Sequence, residues 1–388
     1  MKIAFEGQLL LNEQKTGIVW YAHNLILELA KNPENECIIQ VFGLGKTKQE
    51  LERLETYRKS GCEIKVCNWF SHKIYKLVWN ILPIPYELFF KTRADVTHFF
   101  NYVVPPGVHG KVVTTVHDMC YKAVPETVAL KTRKWLEICM ESSVKRADCI
   151  VTDSKFSKKE IVKYLQVPEC KIIPIHCGVD RVTYHPETKS RISEARSTYG
   201  IKEKYFLYLG TIEPRKNLEM LIGSFERLCG LLEKSGCEKN ELPQLVLAGG
   251  RGWLCDGIYK KAEESRYRDS ILFTGYINQK DSPALLSGAL AFVFPSKYEG
   301  FGMPPLEAMS CGTSAIVSNA ASLPEVVGAA GCVVSADDED ELAKAMYDFW
   351  IEREDRQLTS KRREYALKQA SRFSWEIAAK QLEEIYQN

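Results

Sequence analysis

Both halves of this chain alternate short β-branched or aromatic runs with amphipathic helical stretches, and that alternation narrows the fold more than any other feature. It is the pattern of βαβ units, which build a parallel sheet with helices on both faces. In the first half, Lys2–Phe5, Cys37–Phe42, Glu63–Val66, Val96–Phe99, Lys111–Val116, Cys149–Thr152 and Lys171–Pro174 read as strands. In the second half the corresponding runs are Tyr205–Leu209, Gln244–Ala248, Ile271–Thr274, Ala291–Phe294, Ser314–Val317 and Cys332–Val334. Residues 219–232 place Leu221, Ile222, Phe225 and Leu228 on one helical face.

A chain of 388 residues suits two domains of ordinary size. The stretch 178–200 is polar, contains Pro186 and lacks a sustained apolar period, so it marks the boundary, drawn at 190/191. Two doubly wound domains facing each other form a cleft, and such sheets bind ligands beyond the carboxyl ends of their strands. The formal charge of +2 gives no general attraction to nucleic acid. No apolar run approaches a bilayer-spanning length, and Met1 leads straight into a strand, which points to a cytoplasmic protein. The thirteen cysteines contain no CxxC pair and read as reduced thiols, not as a zinc site.

Three groups at strand ends carry candidate chemistry. The first is Gly210-Thr-Ile-Glu-Pro-Arg215-Lys216-Asn217, where adjacent cations after a tight glycine suit a diphosphate; alone, the same text is a solvated basic loop. The second is His117-Asp118, either a satisfied core histidine with a local acid or a group facing the cleft. The third is Glu299 to Glu307, two carboxylates around Gly300, Gly302 and Pro304-Pro305. Amides at a helix N-terminus accept phosphate charge, and carboxylates accept hydrogen bonds from sugar hydroxyls. That combination points to a nucleotide sugar. A fourth, weaker feature is Lys15-Thr16-Gly17-Ile18, where Gly17 allows backbone amides to approach a ligand.

Two further stretches have competing readings. Asp337-Asp-Glu-Asp-Glu341 has a metal-like D-x-D spacing, but it directly precedes a helical run and reads better as helix N-terminal charge. Residues 71–93 mix Lys73, Lys76, Lys91 and Arg93 with Trp79, Phe89 and Phe90, as either an anionic-lipid surface or core aromatics beside solvated lysines.

Taken together, these residues resemble glycosyltransferase family 4 over nearly the full length. The match includes Thr16-Gly-Ile, Thr115-Val-His-Asp118, Thr152-Asp-Ser154, the Glu-Pro-Arg-Lys-Asn loop, the paired glutamates, Ser322-Leu-Pro-Glu325 and Phe373-Ser-Trp375. The resemblance implies the GT-B fold: α/β, with two Rossmann-like doubly wound domains. These would be an acceptor-side domain at 1–190, a donor domain at 191–370, and a C-terminal helix at 371–388 crossing back to the first domain. It also implies a retaining transferase with a nucleoside-diphosphate sugar as co-substrate and no metal or other cofactor. In that reading Glu307 holds the ribose, and Arg215 and Lys216 hold the diphosphate. Glu299 and the backbone of Phe301, Gly302 and Met303 hold the sugar, with His117 beside it and Gly17 near phosphate or acceptor. Many relatives carry a second glycine where Val19 stands. The expected activity is mannosyl or rhamnosyl transfer to a saccharide or lipid-linked oligosaccharide in surface polysaccharide or lipopolysaccharide synthesis, with peripheral membrane contact. A sugar-nucleotide epimerase, a phosphorylase or a non-catalytic binding protein on the same fold are the alternatives.

Overall fold

A computed structural model describes residues 1–13, 17–79 and 82–388. The chain forms two compact units, Met1–Gly178 with Ser374–Asn388, and Val179–Phe373. The passage between them lies at the start of the polar stretch 178–200.

The first unit holds seven parallel strands among the described residues: β1 (Lys2–Glu6), β2 (Glu36–Phe42), β3 (Glu63–Cys67), β4 (Val96–Phe99), β5 (Lys111–Thr115), β6 (Cys149–Thr152) and β7 (Ile172–Pro174). Their order is β3-β2-β1-β4-β5-β6-β7. The second unit repeats the plan with β8 (Tyr205–Leu209), β9 (Gln244–Ala248), β10 (Ile271–Gly275), β11 (Ala291–Phe294), β12 (Ala315–Ser318) and β13 (Cys332–Val334), in the order β10-β9-β8-β11-β12-β13. The central strands are buried on both faces, which is why they read as continuous apolar runs instead of alternating ones.

Helices cover the sheets through the faces the periodicity identified. In Leu218–Lys234, Leu221, Ile222, Phe225 and Leu228 are fully buried, each contributing about 1.5–3 kcal/mol of burial. The acidic stretch forms a helix start, as its position suggested: the Asp338 side chain caps Glu339–Ile351 by accepting from the amides of Asp340 and Glu341.

The helix Trp375–Gln387 belongs to the first unit and lies against the helix Gly17–Ala30. Trp375 meets the edge of Tyr21 with ring centroids 5.8 Å apart. Asn35 Nδ2 donates to Glu383, and the Tyr386 hydroxyl lies 2.6 Å from His98 Nδ1. Burial holds the His98 pKa down at about 3, so its neutral ring bridges Tyr386 and the Thr115 hydroxyl.

Around residues 71–93 the aromatics Trp79, Phe89 and Phe90 face the core, so the surface reading does not hold for these three. They pack with Phe42, Tyr75 and Tyr86 under β2 and β4. Lys15 and Thr16 lie outside the described residues, and Gly17 is the first residue of its helix.

Trp375→Ala removes a buried indole from the first unit alone. It is expected to cost about 3–5 kcal/mol. Hydrogen exchange should accelerate in residues 1–178 and 374–388 and stay unchanged in 179–373; faster exchange in the second unit would refute the assignment of this helix.

Candidate functional site

β8 and β11 are neighbours where the order of the second sheet reverses, so the segments leaving their carboxyl ends turn to opposite faces. Two of the three sequence candidates emerge at this point. After β8 the chain runs through Gly210 to a single 3-10 turn, Pro214–Lys216, closed by Asn217 with φ of 59°. Asn217 Nδ2 donates to the Ala336 carbonyl at 2.8 Å, which fixes the start of the following helix. A glycine is required beside this loop: a Cβ on Gly249, whose φ is 150°, would stand 1.8 Å from the Gly210 carbonyl oxygen.

The segment after β11 is stitched to that loop. Lys297 N–H donates to the Arg215 carbonyl at 2.9 Å. The Ser322 hydroxyl lies 2.9 and 2.6 Å from the carbonyl oxygens of Glu299 and Phe301. Gly302, with φ of 117°, turns the chain into the helix Met303–Ser310; a Cβ there would meet Leu323 at 2.8 Å. Pro304 and Pro305 have no N–H, so Met303 supplies the donor at this positive helix end.

Two buried acids and two cations close the junction. Arg215 donates from Nε and Nη2 to Glu213 Oε1, at 3.2 and 2.9 Å, and from Nη1 to Glu299 Oε2 and the Tyr298 carbonyl, at 3.1 and 2.8 Å. Lys216 Nζ donates to Glu299 Oε1 at 2.7 Å and sits 4.8 Å from the Phe294 ring centroid. The Ser296 hydroxyl donates to the same Glu299 oxygen at 2.6 Å. Burial pushes the Glu299 pKa up, but Arg215 and Lys216 outweigh it and leave the carboxyl below its usual value. For Lys216, burial prevails and lowers the ammonium despite Glu299. An acid held by this many donors is ionised but engaged, a poor nucleophile.

Glu307 has a different environment. Burial pushes its pKa up to about 7, opposed by a hydrogen bond with the Tyr184 side chain. The Tyr184 carbonyl is in turn tied to Ser310 Oγ at 2.7 Å. The two glutamates of the motif therefore titrate apart.

The third candidate lies in the first unit, after β5. His117 Nδ1 is 2.8 Å from Asp153 Oδ2 and Nε2 is 2.8 Å from the Phe100 carbonyl. Both partners accept, so the ring donates from both nitrogens and is an imidazolium. Burial lowers its pKa most strongly of any single influence, yet Asp153 and the Phe100 carbonyl together carry it above the usual histidine value. Asp118 Oδ1 accepts from the Cys120 amide at 2.9 Å, a local backbone role. Gly17 opens the helix Gly17–Ala30, and among the described residues nothing stands within 4 Å of where its side chain would be.

Glu213, Asp153, Tyr184, Ser296 and Ser322 were not singled out by the sequence. Glu213, Asp153, Ser296 and Ser322 lie inside motifs that carry the family resemblance, but nothing in their spacing names a partner. Among the described residues no group of three or more His, Cys, Asp or Glu is arranged to hold a metal ion.

His117 stabilisation is fully present below the unfolded histidine pKa and is lost as pH rises through the raised folded value. Asp153→Asn should cost about 3–5 kcal/mol below pH 6 and progressively less as pH rises through the raised His117 pKa. Nitrogen NMR should show both His117 ring nitrogens protonated at neutral pH in the parent protein; a neutral ring would overturn this assignment.

Comparison with known proteins agrees with this architecture. A family model described as Glycosyltransferase Family 4 matches residues 15–182, and one described as Glycosyl transferases group 1 matches residues 192–369. O-antigen chain mannosyltransferase B of Escherichia coli is 33% identical over 294 residues, covering 75% of this chain and 74% of that protein. Serotype-specific mannosyltransferase WbdA of Escherichia coli is 30% identical over 306 residues, 76% of this chain but 36% of WbdA. Among solved structures, Anabaena Alr3699/HepE in complex with UDP and glucose aligns over 100% of both chains with a TM-score of 0.72 at 18% identity. WaaG, a glycosyltransferase involved in lipopolysaccharide biosynthesis, aligns with a TM-score of 0.68 at 16% identity over 100% of this chain and 99% of that one. With both halves matched and a relative of this identity over three quarters of its length, the chain belongs to glycosyltransferase family 4.

Proposed function

We propose that this glycosyltransferase moves mannose from a nucleoside-diphosphate sugar to a saccharide or lipid-linked oligosaccharide of a bacterial surface polysaccharide, with retention and without a metal. The observation that carries the reading is the pair of cations at the switch point, partly buried Arg215 and buried Lys216, held side by side by Glu213 and Glu299. Fixed positive charge at such a point suits the charge that builds on a departing diphosphate. Relatives named as O-antigen mannosyltransferases support the sugar and acceptor class, and the fold-mate bound to UDP and glucose supports the donor class.

In this reading Arg215 and Lys216 bind the diphosphate and Glu307 accepts from the ribose hydroxyls. Glu299 and the backbone of Phe301, Gly302 and Met303 hold the sugar. The bond from C1 to the diphosphate breaks as the acceptor oxygen bonds on the same face, and the leaving oxygen takes the acceptor proton. No carboxylate is required as a nucleophile, which fits the engagement of Glu299. His117 supplies a fixed positive charge and is not a proton acceptor, while Gly17 leaves backbone room for phosphate or acceptor.

The first unit also offers a surface for peripheral membrane contact. Trp69, Ile74, Leu77, Leu82 and Leu88 are exposed there, and Lys73, Lys91 and Arg93 are exposed beside them in sequence. Lys76 reaches over Trp135 at 5.1 Å, joining this segment to the helix Leu130–Arg146, where Leu130 and Ile138 are exposed too. Apolar side chains ringed by cations suit an anionic bilayer surface. Among the described residues no helix is long and apolar enough to cross a membrane.

Lys216→Ala should lower kcat/KM by about 10²–10³-fold with the fold retained. The parent enzyme should give the retained anomer from GDP-mannose and keep turning over in EDTA; an inverted product or complete loss in EDTA would sink the mechanism. Separately, Ile74→Asp with Leu77→Asp should reduce sedimentation with phosphatidylglycerol vesicles by more than about tenfold. Unchanged sedimentation would remove this surface from the proposal.

A further inference from the structure

A cavity of about 420 Å³ lies within the second unit, at the opposite end of the strands from Glu299. Its walls come from residues 287–290 and 312–314, which lead into the amino ends of β11 and β12, and from residues 349–363. Four arginines line it, Arg353, Arg356, Arg362 and Arg363, together with hydroxyls that include Ser314 and Ser360. No carboxylate is among the lining residues.

The arginines form two classes. Arg353 and Arg362 are fixed on aromatic faces, 3.9 Å above the Trp350 ring and 4.1 Å above the Phe349 ring. Each also has a carboxylate from outside the cavity: Glu352 pairs with Arg362, and Glu354 stands 3.4 Å from Arg353 Nε. That Nε is buried and makes no hydrogen bond. Arg356 and Arg363 have no ion pair among the described residues, and the Ser314 and Ser360 hydroxyls have no hydrogen-bond partner there. Gly312 admits the Arg363 side chain, since a Cβ at that position would meet Arg363 Cγ at 3.0 Å.

Like charges in one concavity repel unless an anion joins them, and planar guanidinium groups favour phosphate oxygens geometrically. The volume falls within the range of small-molecule pockets, larger than a bare ion needs, and the hydroxyls suit a polyhydroxylated body. We propose that this cavity is a second ligand site, separate from the donor site, for the phosphate group of a small phosphate ester. The phosphate spans Arg356 and Arg363, with Arg353 and Arg362 as a rigid positive wall. A free sugar phosphate and a lipid phosphate headgroup share this chemistry.

Arg356 and Arg363 are exposed and unpaired, so replacing both with alanine should leave thermal stability nearly unchanged. Calorimetric titration would compare the parent, Lys216→Ala and Arg356→Ala/Arg363→Ala proteins, using mannose 1-phosphate and, separately, short-chain phosphatidic acid. The expected result is binding that survives Lys216→Ala and weakens at least tenfold in the double arginine variant. Binding of mannose 1-phosphate identifies a soluble ligand, and binding of phosphatidic acid alone identifies a headgroup. Failure of the parent to bind either probe at millimolar concentration would overturn the proposal, as would full binding by the folded double variant. Because Lys216→Ala disables only the donor reading, the two readings fail independently.

Discussion

The second unit is organised around a charge arrangement whose members compensate one another. Glu213, Arg215, Lys216 and Glu299 are drawn from the ends of two adjacent strands into a largely water-excluded junction. Each carboxylate offsets the desolvation of a cation beside it, and Glu299, shared by Arg215, Lys216 and Ser296, keeps partners when one of them is removed. The surrounding structure serves to keep the group together: Gly249 lets two segments cross, Ser296 and Ser322 hold the loop after β11, and Asn217 locks the helix after the turn. An arrangement that already holds its cations in place needs little reorganisation when negative charge develops nearby.

The paired glutamates are chemically unequal despite sharing one motif. Glu299 is surrounded by donors and lies below its usual pKa, whereas Glu307, partly buried with Tyr184 as its neighbour, is pushed up to about 7. Two buried histidines of the first unit, His98 and His117, diverge for a similar reason. His98 faces hydroxyls and is neutral; His117 faces a carboxylate and a carbonyl and is charged. In both pairs the local partners, not residue type or depth alone, decide the protonation state.

The strand–helix alternation made both sheets legible, because strands buried on two faces leave continuous apolar runs and their helices leave a period of 3.6. The position of Arg215, Lys216 and Glu299 at strand ends was legible too. Their mutual bonding was not, since 83 residues separate Lys216 from Glu299 and only the strand order brings them together. Glu213 looked like one more acid in a polar loop. Trp79, Phe89 and Phe90 sit on short segments whose period does not reveal which side faces inward. Arg353, Arg356, Arg362 and Arg363 lie in a charged stretch without a motif, and only the fold brings residues 312–314 beside them.

The helix Trp375–Gln387 has a consequence for how the chain is made. The second unit is continuous in sequence, whereas the first lacks the cover for Tyr21 and the partner for His98 until residues 374–388 exist. At ordinary synthesis rates the intervening residues take roughly ten to forty seconds to appear. During that interval Tyr21 and His98 lack these partners, so the packing of the first unit is completed only after the whole second unit has been synthesised.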